Sequence, residues 1–233
     1  MTSLNISDAD IPDLNGKVAV VTGGASGIGL AASYILSAHN ARVYILDLNP
    51  PDTSFSITST TTAPITPPNT STPPLPHNII YIPCSTAKWA DLTSAFSRII
   101  SENSRIDIAI ANAGVSEECD YFTDTFDEEG ILQEPKWGVL DVNLRGTLGF
   151  LKLAISSMRK SGGGSLVITS SATAYSPEQS LPVYSSSKFA VSWFSCFLFF
   201  LSFTLPGFVC LYFRSSFCDW ISSWTLYSCL QPA

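Results

Sequence analysis

The segment KVAVVTGGASGIG, at residues 17–29, carries the strongest structural signal in this chain. Its first part, Lys17–Val21, is short, apolar and β-branched, which predicts a buried strand. A glycine-rich turn follows, and Gly27–His39 then suits a helix. Such a turn lets the backbone approach a bound group closely, and the helix directs free N–H groups and its positive dipole end at that group. The order strand, glycine turn and helix therefore favours a pyrophosphate site, although similar turns also occur as plain connectors.

The glycines are spaced G-x3-G-x-G, at Gly23, Gly27 and Gly29. The turn lacks the Gly-Lys-Ser/Thr ending of a P-loop, which disfavours a nucleoside triphosphatase. Asp47 closes the next apolar segment, where a carboxylate can accept hydrogen bonds from an adenosine ribose and would repel a 2′-phosphate. Its neighbour Leu48 is uncharged, so the pattern favours NAD over NADP; a solvated aspartate at a strand end is the alternative.

Strand-like and helix-like segments alternate along the following residues. Because the strands are apolar throughout and separated by helices, they predict a parallel sheet that is covered on both faces. The expected fold is a single α/β domain over residues 14–190, a doubly wound Rossmann-type sheet, preceded by an arm over residues 1–13. Further strands are predicted over Arg42–Leu46, Ile79–Ile82, Ile106–Ala111 and Leu166–Thr169, and further helices over Trp89–Ile100 and Trp137–Arg159.

Composition limits the classes of function. The 233 residues are 45% hydrophobic and 13% charged, with a formal net charge of −7. An acidic chain without a basic run argues against nucleic-acid binding. Six cysteines without a Cys-x-x-Cys pair, and only two histidines, argue against a metal site. Residues 1–14 are polar and acidic, unlike a secretory signal, so a cytoplasmic protein is expected.

Two segments depart from the alternation. Residues 53–76 are rich in Ser, Thr and Pro and carry no charge, so a disordered surface loop is expected there. Residues 191–233 form an apolar tail without clear helical or strand periodicity. The favoured interpretation is translated non-coding or out-of-frame sequence. A membrane anchor over residues 190–213, which could cross a bilayer of about 30 Å, and a buried core segment are the alternatives.

Candidate catalytic side chains follow the fourth and fifth strands. Tyr184 and Lys188 lie one turn apart on one helix face, where the ammonium would favour the phenolate and allow proton exchange with a substrate hydroxyl. Ser171 follows the fifth strand, where it can hold the substrate oxygen or serve ordinary turn chemistry. Asn112 and Gly114 follow the fourth strand, at the sheet edge where ligands bind in such folds.

Two polar features have more than one interpretation. Asn143 lies inside a predicted helix, where asparagine is mildly unfavourable; either a functional role or a satisfied interior amide explains it. Residues 117–134 are rich in acids and form either a substrate loop or, more simply, a solvated loop.

The sequence resembles the short-chain dehydrogenase/reductase family in a series of motifs that occur in the same order: TGGASGIG, Asp47, ANAG, Asn143, Ser171 and Tyr184-x-x-x-Lys188. Within that family it is similar to the NAD-preferring enzymes related to hydroxyprostaglandin dehydrogenase. The resemblance covers residues 14–190. It implies an oxidoreductase that transfers a hydride between NAD(H) and a small secondary alcohol or ketone.

The resemblance also implies a role for each matching residue. Tyr184 would be the general acid/base, Lys188 would stabilise its phenolate and bind the nicotinamide ribose, and Ser171 would orient the substrate. Asn143 would hold a water in a proton relay toward Lys188. The cofactor would lie against Gly23, Ser26, Gly27, Ile28, Gly29, Asp47, Asn112, Gly114, Tyr184 and Lys188.

The tail departs from the family pattern. Family members continue after Lys188 with the rest of a helix, a sixth strand with a Pro-Gly turn, a covering segment and a seventh strand. Only 17 residues separate Lys188 from Pro206, whereas a mean helix, a connection and a strand need about 20. Strands six and seven are therefore expected to be missing or replaced. The tail also replaces the helix that family members often use to form dimers, which argues against the homo-oligomer usual in the family. The alternative function is an inactive or truncated nucleotide-binding product, attached to a membrane through residues 190–213.

Overall fold

The computed structural model describes residues 10–51, 75–117, 120–202 and 208–213. Nearly all of the predicted Ser/Thr/Pro loop, most of the N-terminal arm and the end of the tail lie outside the described residues.

The described chain forms a six-stranded parallel sheet in the order β3-β2-β1-β4-β5-β6. Its strands are β1 (Val18–Thr22), β2 (Arg42–Asp47), β3 (Ile79–Pro83), β4 (Ile108–Ala111), β5 (Gly164–Thr169) and β6 (Phe208–Phe213). Its helices are α1 (Gly27–Ala38), α2 (Trp89–Asn103), α3 (Gly138–Leu140), α4 (Thr147–Lys160) and α5 (Pro182–Ser202). A π-helical turn, Asp141–Gly146, joins α3 to α4, and a short 3-10 turn, Ala172–Ala174, follows β5.

Apolar side chains cover both faces of the sheet. Along β1, Val20 belongs to the cluster that contains Phe150 of α4, whereas Val21 belongs to the cluster that contains Leu30 of α1. All four of these side chains are completely buried. Burying one such side chain stabilises the fold by roughly 1.5–3 kcal/mol, and the two-sided burial explains why the strands read as continuous apolar runs.

The predicted fold class is confirmed, and each predicted strand and helix is present with its ends shifted by a few residues. The main local difference lies in the predicted helix Trp137–Arg159. That segment begins with α3, widens into the π-helical turn at Asn143 and continues as α4. Short π-helical insertions of this kind occur often at functional sites.

A sixth strand is present, so of the two expectations for this strand, that it is missing or that it is replaced, the first is wrong. β6 pairs in parallel with all of β5, from Gly164 opposite Phe208 to Thr169 opposite Phe213. A strand that ended before Pro206 would have had too few residues after Lys188, but β6 begins after Gly207. β5 is therefore not a bare edge strand. The prediction about a seventh strand falls on residues after Phe213, which lie outside the described residues.

Residues 190–213 do not form one continuous helix, because α5 ends at Ser202 and β6 belongs to the sheet. Within the described ranges, no helix is both long enough and apolar enough to cross a membrane. The alternative of an anchor that crosses a bilayer as one helix over residues 190–213 is therefore wrong.

The strand order reverses at β1, which lies between β2 and β4. In open α/β sheets, the crevice beyond the carboxyl ends of the strands at such a reversal is where ligands bind. The predicted site residues are therefore expected to lie together at this crevice.

Candidate active site

A cavity of about 710 Å³ lies at the carboxyl ends of the strands. It is lined by residues from both predicted motifs, the glycine turn and the Tyr-x-x-x-Lys helix. Of the predicted site residues, Gly29 and Asn143 do not line the cavity. The others border it: Gly23, Ser26, Gly27, Ile28, Asp47, Asn112, Gly114, Ser171, Tyr184 and Lys188.

The glycine turn requires glycine at three places. Gly23 has a φ of +62° and Gly27 a φ of +50°, in the left-handed region that side chains disfavour. At Gly29, an added Cβ would collide with the carbonyl oxygen of Gly23 and lie 2.6 Å from Asn112 Nδ2. The absence of a side chain at Gly29 therefore lets α1 pack directly against the turn and the end of β4.

The beginning of α1 suits a phosphate group. Ser26, at the N-cap position, makes no capping hydrogen bond with its side chain to any described residue. The first turn of α1 contains no acidic residue. A Cβ placed on Gly27 would meet no described atom within 4 Å, so the backbone there borders open space in the cavity. The N–H groups and dipole of α1 can therefore receive an anion, and this donor set fits the pyrophosphate of a dinucleotide.

Asp47 is held at the end of β2 by backbone N–H groups. Ala25 N donates to Asp47 Oδ2 at 3.1 Å, and Asn49 N donates to Oδ1 at 3.3 Å. Each carboxylate oxygen keeps a further lone pair for a ribose hydroxyl. The neighbouring cavity residues Ser26 and Leu48 are uncharged.

Asn112 ties three strand ends together. Its Nδ2 donates to Gly23 O at 3.1 Å, after β1, and its Oδ1 accepts from Thr169 Oγ1 at 3.2 Å, at the end of β5. Its backbone N also donates to Thr22 Oγ1 at 3.0 Å. Asn112 therefore shapes the cavity floor, since much of its side-chain hydrogen-bonding capacity is used within the protein.

Asn143 joins the loop after β4 to α5. Its Oδ1 accepts from Val115 N at 2.8 Å, and its Nδ2 donates to Val115 O at 2.9 Å and to Ser187 Oγ at 3.2 Å. Ser187 Oγ donates to Tyr184 O at 2.6 Å. The buried amide is thus satisfied, as one of the two interpretations held. One Oδ1 lone pair remains for a water.

Lys188 is buried beneath the cavity, with 4% of its surface exposed. Its Nζ donates to Thr169 O at 3.3 Å and lies 5.7 Å from the centre of the Tyr184 ring. Burial lowers the pKa of Lys188 to about 8. A Cβ on Gly114 would lie 3.3 Å from Lys188 Nζ and 3.4 Å from Asn143 Oδ1, so the glycine gives both groups room.

Ser171 faces the cavity from the start of the 3-10 turn. It is buried, and its Oγ accepts hydrogen bonds from Thr173 N at 3.3 Å and from Thr173 Oγ1 at 3.1 Å. Thr173 also borders the cavity. The sequence reasoning did not select Thr173, because a threonine beside a turn carries no signal of its own.

Glu117 is a second residue that the sequence reasoning missed. Its Oε1 accepts from Val183 N at 3.2 Å and its Oε2 from Tyr184 N at 2.9 Å, so one carboxylate binds the first turn of α5. The interpretation of residues 117–134 as a merely solvated loop is therefore wrong at Glu117. No local pattern could have revealed it, because the partners are 66 and 67 residues apart in sequence.

Comparison with known proteins identifies related chains. The family described as short chain dehydrogenase matches residues 17–198. The short-chain dehydrogenase/reductase prx4 of Penicillium roqueforti is 50% identical over 189 residues, which are 81% of this chain and 50% of that protein. The short-chain dehydrogenase/reductase ATR7 of Stachybotrys chlorohalonatus is 40% identical over 200 residues, 82% of this chain and 54% of that protein.

A third relative is the 15-hydroxyprostaglandin dehydrogenase (NAD+) of Rattus norvegicus, which is 29% identical over 186 residues, 78% of this chain and 60% of that protein. The predicted resemblance is confirmed by these matches. The chain spans about half the length of the first of these curated relatives.

Removing the Glu117 carboxylate should loosen α5. We expect Glu117→Ala to lower the free energy of unfolding by about 1–2 kcal/mol, because two backbone donors lose a charged acceptor at a helix N-terminus. Urea denaturation measures this change. Glu129→Ala is the control, since it removes the same charge from an exposed position in the same loop. Equal losses from the two variants would contradict the capping role.

The buried Lys188 should give stability a pH dependence. The folded protein releases the Lys188 proton near pH 8, whereas an unfolded lysine keeps it until about pH 10.4. Below pH 8, burial of the ammonium destabilises the folded state. Between these values the unfolded state binds more protons, so the penalty falls as pH rises.

Lys188→Met removes this titration. We expect the free energy of unfolding of the variant, minus that of the original protein, to fall by about 2 kcal/mol between pH 8 and 10. Urea denaturation at several pH values measures the difference. Lys152→Met, at an exposed position of α4, is the control and should show no such trend. A constant difference for Lys188→Met would refute the assignment.

Proposed function

The chain belongs to the short-chain dehydrogenase family of oxidoreductases, and we propose that it transfers a hydride between NAD(H) and a small secondary alcohol or ketone. One observation carries this proposal: Tyr184, Lys188 and Ser171 line the same cavity as the glycine turn and Asp47. A group that can move a proton therefore borders the same space as a site that suits a dinucleotide.

Tyr184 is the proposed general acid and base. The positive charge of Lys188, whose Nζ lies 5.7 Å from the ring centre, favours the phenolate. In the oxidative direction, the phenolate would take the hydroxyl proton of the alcohol; in the reductive direction, the phenol would return a proton to the ketone oxygen. Bound NAD supplies the hydride acceptor for the carbinol carbon. Ser171 would hold the reacting oxygen.

The proposed choice of NAD rests on Asp47. Its carboxylate is positioned by two backbone N–H groups, and the adjacent cavity residues Ser26 and Leu48 offer no positive charge to a 2′-phosphate. A ribose diol can donate to the carboxylate, whereas a phosphate there would be repelled.

A second candidate function is binding of NAD without turnover. It is favoured by one observation: the family match covers residues 17–198 and does not extend through the rest of the tail. The first candidate is preferred because the proton-transfer group, its ammonium neighbour and the substrate-side serine all border the cavity.

Replacing the phenol should separate chemistry from binding. With NAD+ and a panel of small secondary alcohols, we expect Tyr184→Phe to lower turnover at least about 100-fold, because the proton acceptor is lost. The Kd for NADH, measured by calorimetry, should stay within about twofold, since the ring remains. Retained turnover would contradict the proton-transfer role. An original protein that binds NADH but oxidises no alcohol would favour the second candidate.

Cofactor preference should depend on the charge at Asp47. We expect the original protein to bind NADH more tightly than NADPH. Asp47→Asn should weaken NADH binding about tenfold, because a charged acceptor becomes neutral, and should narrow the gap to NADPH. Calorimetry with both cofactors measures this, and Asp124→Asn, an exposed site in the loop before α3, is the control. Tighter binding of NADPH by the original protein would refute the role of Asp47.

A further inference from the structure

The hydrogen bonds of Ser171 leave its hydroxyl with one free function. A serine hydroxyl has one O–H donor and two acceptor lone pairs. Thr173 offers two donors to Ser171 Oγ, its backbone N at 3.3 Å and its Oγ1 at 3.1 Å. No hydrogen bond within the described part of the chain uses the Ser171 O–H as donor. The proton is therefore the group that Ser171 has left to offer.

The cavity is the open space that Ser171 borders. Ser171 is 3% exposed, and both it and Thr173 line the cavity beside Tyr184. Thr173 fixes the two acceptor directions of the hydroxyl. The third tetrahedral direction, which holds the proton, is the one left for a partner in the cavity.

We propose that Thr173 is a positioning residue that keeps Ser171 as a hydrogen-bond donor toward the oxygen of the substrate. This inference rests on the proposed function. If the Ser171 hydroxyl could rotate, its oxygen could instead accept a hydrogen bond from the hydroxyl of an alcohol. That hydroxyl would then point away from Tyr184. With both lone pairs occupied by Thr173, the alcohol must direct its proton to the Tyr184 phenolate. In the other direction, the same donor stabilises the ketone oxygen.

Two substitutions at Thr173 test this role. Thr173→Val keeps the shape of the side chain but removes its donor, whereas Thr173→Ser keeps the donor. With trifluoroacetophenone and NADH, followed by nicotinamide absorbance, we expect Thr173→Val to lower kcat about tenfold with a smaller change in KM. Thr173→Ser should stay within about twofold of the original protein. In a Ser171→Ala background, Thr173→Val should have no further effect on kcat, because Thr173 acts through Ser171.

An equilibrium measurement supplies a readout that does not need turnover. In complexes of Tyr184→Phe with NADH, Ser171 is the proposed donor to the carbonyl of trifluoroacetophenone. We expect adding Thr173→Val to weaken calorimetric binding of this ketone about fivefold, and adding Thr173→Ser to leave it nearly unchanged. Absence of ketone binding in all of these complexes would overturn the inference, because a fixed donor should hold the carbonyl.

The outcomes separate this inference from the proposed function. If Tyr184→Phe abolishes turnover but Thr173→Val matches the original protein, only the role of Thr173 is refuted. If Tyr184→Phe keeps full turnover, the proposed function fails. A Thr173→Val variant with lowered thermal stability is judged against Thr173→Ser, and an equal loss of kcat in both also refutes the donor role.

Discussion

The amide of Asn112 is the interaction on which the rest of the cavity depends. It connects the carbonyl of Gly23, after β1, with the hydroxyl of Thr169, at the end of β5. The Thr169 carbonyl in turn accepts from Lys188 Nζ. One side chain therefore links the glycine turn to the strand end that receives the buried lysine. Without this side chain, no hydrogen bond from Asn112 would hold the glycine turn in place relative to the end of β5.

A second set of contacts fixes α5 relative to that edge. Asn143 pairs with both backbone groups of Val115 and also donates to Ser187 on α5. Two residues further along the same loop, Glu117 binds the first turn of α5 at Tyr184. The loop after β4 therefore helps to fix the position of α5. This explains why an asparagine and a π-helical turn occur where an uninterrupted helix would have been locally more favourable.

The parts of the molecule that could be predicted from the sequence depend on interactions between residues close together in the chain. The first strand, the glycine turn and α1 are adjacent, and each glycine has a steric reason that spacing reveals. Glu117 and Thr173 were missed because their roles depend on partners or directions that only the folded chain sets. The sixth strand was missed because chain length was counted to Pro206, whereas β6 starts after that proline and its glycine neighbour.

The absence of helical periodicity after Lys188 has a physical reason in α5. This helix buries Ser192 and Ser195, while Phe189 and Trp193 are about half exposed. The burial of serine costs little, because Ser192 Oγ donates to Lys188 O at 2.8 Å and Ser195 Oγ to Ser192 O at 2.6 Å. Small side chains also let α5 approach the residue that follows β5, where the Ser170 and Ser192 hydroxyls lie 2.8 Å apart. A search for helical periodicity that expects every buried residue to be apolar fails on such a helix. Where the helix backbone lies close to the site, its buried residues are small and polar, and their hydroxyls donate to carbonyls of the same helix.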